Sequence, residues 1–314
     1  MRIVSLLPSA TEVVAALGLA KDLVGISHEC DYPPEVKDRP VLVKPTVEAE
    51  RVTSADIDRQ VRARLAAKEP LYRLDEALFR DLRPDLVISQ DLCHVCAVTP
   101  DQLQRLVSSL QPVPRMLTLN PTTLAQVLGD IERIGTAVGR QNAAKILVGE
   151  LRTKLDRIGS KVAGVAQRPK VLCLEWLSPF FLGGHWVPEM VDLAGGLDPL
   201  GTAKAPSRQV TWEEIVAAAP DVLVFMPCGF TIDRTLHELG RLDHHPDWSC
   251  LPAVRTGRVF AVEAVDYFSR PGPRLIDGVT ILAALCHPSR FRKTVPPGAR
   301  QVPAMRLGRR ADTR

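Results

Sequence analysis

Two stretches of this chain, residues 75–89 (DEALFRDLRPDLVIS) and 212–226 (WEEIVAAAPDVLVFM), share one grammar: a short helix with an acidic start, a Pro-Asp step, and a continuously apolar strand. Strands with no polar face belong inside parallel sheets, where crossover helices cover both sides. Two such units far apart in one chain imply two similar sheets. The competing reading is that helix–Pro-Asp–strand is a common junction and nothing more. Length favours the first, because 314 residues exceed what one core ordinarily holds.

The elements around these units alternate in the same way. Residues 1–8 read as a first strand, and Ser9-Ala10-Thr11-Glu12 has capping-box spacing for the helix that follows. Residues 23–27 read as a second strand, 55–67 as a helix capped by Ser54, and 74–82 as another helix. A strand over 85–89, a helix over 101–110 and a strand over 115–119 complete a βα set. The apolar periodicity of residues 121–159 predicts one very long helix, about 55–60 Å at 1.5 Å per residue, although its glycines at 129, 135, 139 and 149 weaken it. A second alternating set begins at 170–176. The division expected is therefore an N-terminal lobe over 1–120, a linking helix over 121–168, a C-terminal lobe over 169–288, and a Pro-, Gly- and Arg-rich tail over 289–314 that is flexible.

Several function classes are excluded or disfavoured. A formal charge of +4 without a basic stripe gives no footprint for nucleic acid. No apolar run reaches the roughly 18 residues of a membrane span. Residues 1–8 are too short an apolar run for a secretory signal, and seven cysteines do not form a secreted disulfide framework, so the chain reads as cytoplasmic as written, or as a mature or mis-started periplasmic form. There is no nucleophile elbow, Walker loop, dinucleotide fingerprint or His-Glu-x-x-His.

Ligands of open α/β sheets bind outside the carboxyl ends of the strands. The residues following each strand are Pro8 and Ser9; His28, Cys30, Asp31 and Tyr32; Cys93 and Cys96; Glu175 and Trp176; Cys228; and Tyr267, Phe268 and Arg270. Most are soft or aromatic, which suits a ligand held in a cleft between the lobes. His28, Cys30, Cys93 and Cys96 make a four-ligand set for zinc if their loops meet, the alternative being buried or cleft-lining thiols. In 175–189, Trp176, Phe180, Phe181 and Trp186 either fold back as core or form a stacking wall for a flat ligand. His185 in the same run is either a metal ligand or a histidine bonded within its loop.

The run Val4-Ser5-Leu6-Leu7-Pro8-Ser9-Ala10-Thr11-Glu12, then Asp31-Tyr32-Pro33-Pro34, residues 82–88, residues 190–196 (MVDLAGG) and residues 266–274 (DYFSRPGPR) resembles the ABC-importer substrate-binding proteins, the class with the periplasmic vitamin B12, iron-siderophore and haem binders. The resemblance covers residues 1 to about 288. It implies an α/β fold of two Rossmann-like lobes joined by one long helix, the class III periplasmic-binding-protein fold, with the ligand between the lobes. It also implies an acidic residue on each lobe for an ABC permease: Glu213 falls where the second would lie, and Asp101 is the nearest match for the first.

His28, Cys30, Cys93, Cys96 and Cys228 depart from the B12-binding pattern. They keep two readings open. One is stoichiometric binding of a cobalamin-like corrinoid or another metal-tetrapyrrole, with a thiolate or His185 on the metal; the other is a metal- or thiol-dependent enzyme using the same loops.

Overall fold

The computed structural model describes residues 1–50, 52–90, 100–240, 247–291 and 294–303, with backbone alone for Pro100 and Asp101. The chain divides into two compact units. Met1–Pro121, Ala125–Glu150 and Pro271–Pro273 form unit 1; Thr122–Leu124, Leu151–Arg270 and Arg274–Arg314 form unit 2.

Unit 1 runs β1 (Ile3–Ser5), α1 (Pro8–Ala16), β2 (Leu23–Ser27), β3 (Val41–Pro45), α2 (Ser54–Ala66), β4 (Tyr72–Leu74), α3 (Glu76–Leu82), β5 (Leu86–Gln90), α4 (Pro100–Ser108), β6 (Arg115–Leu119), α5 (Leu124–Ala137) and the start of α6 (Gln141–Val162). Its sheet has the order β4-β3-β2-β1-β5-β6. All neighbours are parallel except the β3–β4 pair. Val4, Val43 and Val87 from the sheet meet Phe79 of α3 and Leu103, Leu106 and Val107 of α4 in one core.

Unit 2 continues with β7 (Val171–Leu177), β8 (Phe180–Leu182), α7 (Val187–Leu193), β9 (Arg208–Gln209), α8 (Trp212–Ala218), β10 (Val222–Phe225), α9 (Ile232–Leu239), α10 (Pro252–Arg255), β11 (Val259–Val262), α11 (Ala264–Tyr267), α12 (Leu275–Cys286) and β12 (Ala299–Gln301). Its sheet has the order β12-β11-β10-β7-β8-β9. Only β11–β10–β7 is parallel. The core gathers Leu172, Leu174, Leu223 and Phe225 from the central strands around Trp212 and Trp248, whose rings stand 4.6 Å apart.

The shared grammar of 75–89 and 212–226 is a shared structure. α3 ends on Arg83 (φ 41°) and α8 on Ala219 (φ 46°), both left-handed. The aspartate after each proline then clamps the first strand of its unit. Asp85 Oδ2 accepts the Arg2 N–H (2.7 Å) while its own N–H donates to Arg2 O (2.8 Å). Asp221 Oδ2 accepts the Lys170 N–H (2.8 Å) and its N–H donates to Lys170 O (2.8 Å). β5 thereby enters beside β1, and β10 beside β7.

Several sequence expectations need correction. The long helix over 121–168 is two helices, broken at Gly139, whose φ of +71° leaves the right-handed region. Gly135 is required nearby, since a Cβ there would stand 2.4 Å from the Ala144 Cβ. The division between units falls inside α6, between Glu150 and Leu151. Ser9 does not cap α1: the helix begins at Pro8, and its N-cap, Leu7, has no side-chain cap. α2 is capped by Thr53 rather than Ser54, in a reciprocal box with Asp56. Leu74 ends a strand, and Asp75 caps the helix after it. The tail contributes β12, antiparallel to β11, with Val302 buried behind it.

Candidate functional site

The carboxyl ends of the parallel strands gather most candidates, unit by unit. In unit 1, Ser5 closes β1 and its hydroxyl donates to Leu7 O (3.0 Å). The Thr11 hydroxyl donates to Ser5 Oγ (2.9 Å) and stands 3.0 Å from Cys30 Sγ. Ser5, Ser9, Thr11 and Cys30 are all buried. Cys30 thus joins a polar relay that ties the β2 exit to α1. His28 Nδ1 lies 3.1 Å from Val43 O, its ring tilts against Tyr72, and Nε2 is 3.9 Å from Glu29 Oε1. With the proton on Nδ1, Nε2 carries the lone pair. Asp31 and Tyr32 are exposed, and Pro8 is half-buried.

Cys93 and Cys96 lie outside the described residues, as does the Asp101 side chain. Among the described residues no group of three or more His, Cys, Asp or Glu side chains is placed to hold a metal ion. Of the four proposed zinc ligands, His28 and Cys30 are among the described residues, and Cys93 and Cys96 are not.

In unit 2 the exits of β7 and β10 are stitched mainly through the backbone. The Cys228 N–H donates to Glu175 O (2.9 Å), and Glu175 Oε2 accepts the Gly184 N–H (3.2 Å). Glu175, Gly184 and Cys228 are thereby held together, with Trp176 half-buried and the Cys228 thiol exposed. His185 adopts φ 53°, with its N–H donating to Ala205 O (2.6 Å) and its carbonyl accepting the Lys204 N–H (3.0 Å). Burial holds its imidazole below the usual pKa, so the neutral, ligand-competent form is favoured.

The aromatic run of 175–189 splits between the two readings. Trp186 is buried, its indole N–H donates to Phe268 O (2.9 Å), and Phe268 is itself buried. Phe180 packs on Trp212 in the core. Trp186 is thus an interior residue, and Phe180 is half-buried against the core. Trp176 turns toward a different neighbour, Phe230, edge-on at 5.4 Å. Phe230 and Arg234 were not singled out from the sequence; the available signal was their position directly after the β10 exit, beside Cys228.

Tyr267 is half-buried, and burial followed by the Asp266 and Asp277 charges raises its phenol. Arg270 is buried in the loop after α11. Glu213 sits exposed on the first turn of α8, which Thr211 and Glu214 close with a capping box. Hydrogen bonding from the Thr211 backbone, then from Arg208, lowers the Glu214 carboxyl. No helix among the described residues is long and apolar enough to cross a membrane.

Known proteins share this layout. The chain is 27% identical over 303 residues to the uncharacterized ABC transporter substrate-binding lipoprotein YvrC of Bacillus subtilis, covering 93% of this chain and 82% of the relative. It is 25% identical over 288 residues to the vitamin B12-binding protein of Vibrio cholerae, covering 88% and 86%. Among solved structures, the periplasmic vitamin B12 binding protein BtuF of Vibrio cholerae aligns with a TM-score of 0.66 at 22% identity, covering 92% of this chain and 98% of that one. A periplasmic heme binding protein from Pseudomonas aeruginosa aligns at 0.70 and 21%, covering 92% and 93%. Both likenesses are of fold, and they agree with the class III architecture expected from the sequence. A family model described as periplasmic binding protein matches residues 3–265. With two α/β units, candidate residues at the strand exits and a family match over most of its length, the chain belongs to the periplasmic binding protein family.

Proposed function

We propose that this chain is the substrate-binding protein of an ABC importer and that its substrate is a metal-tetrapyrrole, a cobalamin-like corrinoid. The observation that carries the reading is the exit of β7 and β10, where the half-buried Trp176, its neighbour Phe230 and the exposed Cys228 thiol lie together on backbone-stitched loops. An aromatic face meets a flat macrocycle without directional demands, and a thiolate or a neutral imidazole such as His185 suits a transition metal. Relatives that bind vitamin B12 align along most of the chain. A contact of about 200 Å² of apolar surface contributes about 5 kcal/mol, which by itself corresponds to submillimolar affinity. Polar contacts must supply the remainder of a useful affinity.

Glu213, exposed at the start of α8, is the acid we assign to the permease. Glu213→Arg leaves ligand affinity unchanged and lowers uptake in cells. Service to an importer requires the chain outside the cytoplasm, which cell fractionation reads. Recovery in the cytosol would leave a corrinoid carrier without a permease.

The direct test is gel filtration of reduced protein with cyanocobalamin, dicyanocobinamide or haemin, followed by the visible spectrum and mass of the recovered ligand. A coloured, stoichiometric complex whose ligand is chemically unchanged is expected. A ligand returned altered would favour an enzyme, and no coloured complex with any of the three would remove the tetrapyrrole.

A further inference from the structure

α3, α4 and the turn after α2 line a groove of about 550 Å³ in unit 1. Glu76 of α3 ties two of these elements together: its Oε2 accepts from Arg80 Nη2 at 3.0 Å, and its Oε1 accepts from the Gln102 amide of α4 at 3.3 Å. The second acid of the lining, Glu69, accepts from Arg64 Nη1 at 3.0 Å. Both carboxylates are therefore engaged. Hydrogen bonds from Gln102 and then Arg80 hold the Glu76 carboxyl below its usual range against desolvation, helped by the charges of Arg80 and Arg105.

Two cations of the lining are not engaged in this way. Arg59, Arg62, Arg64 and Arg80 each pair with a carboxylate. The Lys68 ammonium and the Arg105 guanidinium, by contrast, make no hydrogen bond or ion pair with any described residue. Lys68 also occupies the place where a helix end ordinarily has glycine. Its N–H donates to Leu65 O (3.1 Å) and the Glu69 N–H to Arg64 O (2.9 Å), the Schellman pattern, with φ +56° at Lys68. A left-handed backbone is unfavourable for a residue with a Cβ, so this turn carries a charge where glycine would be more stable.

We propose that this groove is a second binding site, for a small molecule bearing a phosphate or paired carboxylates, held by Lys68 and Arg105. Its volume is that of a small-molecule site. Arg105 offers a planar donor fork and Lys68 a point charge, the combination that suits an anion with several oxygens. Every residue of the lining belongs to unit 1, so the proposal does not depend on the tetrapyrrole reading.

Titration calorimetry with pyrophosphate and with citrate tests it, and the tighter of the two identifies the anion's source. Saturable binding of at least one probe, weakening as salt rises, is expected of the unaltered protein. Arg105→Gln and Lys68→Gln should each weaken it about 5-fold, the loss of one charge contact in a water-exposed site. Arg59→Gln, outside the lining, leaves it unchanged. Lys68→Gly separates the two roles of that residue: the unfolding midpoint rises as the left-handed backbone is relieved, while affinity falls as in Lys68→Gln. No saturable binding of either probe by the unaltered protein, or binding that the Lys68 and Arg105 variants leave intact, overturns the proposal.

Discussion

At the exit of β1 and β2 in unit 1, side-chain ties (Ser5 to Leu7, Thr11 to Ser5 and Cys30, His28 to Val43) add to the backbone bonds of Leu6, His28 and Cys30. At the exit of β7 and β10 in unit 2, backbone N–H groups of Gly184, His185 and Cys228 do most of that work. The two units enter their central strands through the same Asp85 and Asp221 clamps and differ at the opposite ends of those strands. Ser5, Thr11 and Cys30 of unit 1 are buried, whereas Trp176 of unit 2 is half-buried and Cys228 exposed.

The largest expected effect tests how rigid the unit 2 loop is. A Cβ at Gly184 would stand 2.3 Å from Ser207 N and 2.6 Å from Pro206 C, both backbone atoms that cannot rotate away. Gly184→Ala should cost about 3 kcal/mol in denaturant unfolding and weaken ligand binding by moving His185. At Gly25 in unit 1 the obstacles are Leu42 Cδ1 (2.6 Å) and Leu82 Cδ1 (2.7 Å), the far ends of flexible side chains. Gly25→Ala should therefore cost only about 1 kcal/mol. Equal losses would break the contrast.

The clamps come next. Asp85→Ala and Asp221→Ala each remove an exposed or part-exposed carboxylate bond to a strand N–H, worth about 1 kcal/mol. Similar losses measured by hydrogen exchange on β1 and β7 would sharpen the claim that both units share one entry device. A loss confined to one unit would break it.

The smallest effect is on pH. Burial lowers the His185 imidazole; burial also lowers that of His287, opposed by its hydrogen bond to Gly195 O and helped by neighbouring Arg290, Arg258 and Arg168. A histidine whose folded pKa is depressed contributes stability above its unfolded value of about 6.5, and that stability is lost as pH falls through this value toward the folded one. Both histidines are in unit 2, and so are Trp176, Trp186, Trp212 and Trp248, which are all the tryptophans of the chain. Tryptophan fluorescence should thus report a falling midpoint for unit 2 between neutral and mildly acid pH. His185→Asn and His287→Asn together should flatten that slope, and an unchanged slope would show that other groups set it.

Much of the fold was legible because its signals are local. The Pro-Asp step with apolar strands over 86–90 and 222–225 is decided within a few residues. β3 and β4 were hidden because an edge pair need not carry a continuous apolar run, and residues 41–45 end on Lys44 and Pro45. The β8–β9 pair joins Phe181 to Gln209 across a long connection, and no short-range turn signal announces it. Gly139 was visible as a weak point in the long helix, but only its left-handed backbone turns weakness into a break.

Alternation of helix and buried strand was sufficient for the α/β class, because periodicity acts over one or two turns. Which aromatic faces a ligand and which fills the core was not local. Trp186 is interior because its indole reaches Phe268, and Trp176 joins the candidate surface because the β10 exit brings Phe230 beside it. Side chains on a loop have no period of their own, so their burial is assigned by long-range packing alone.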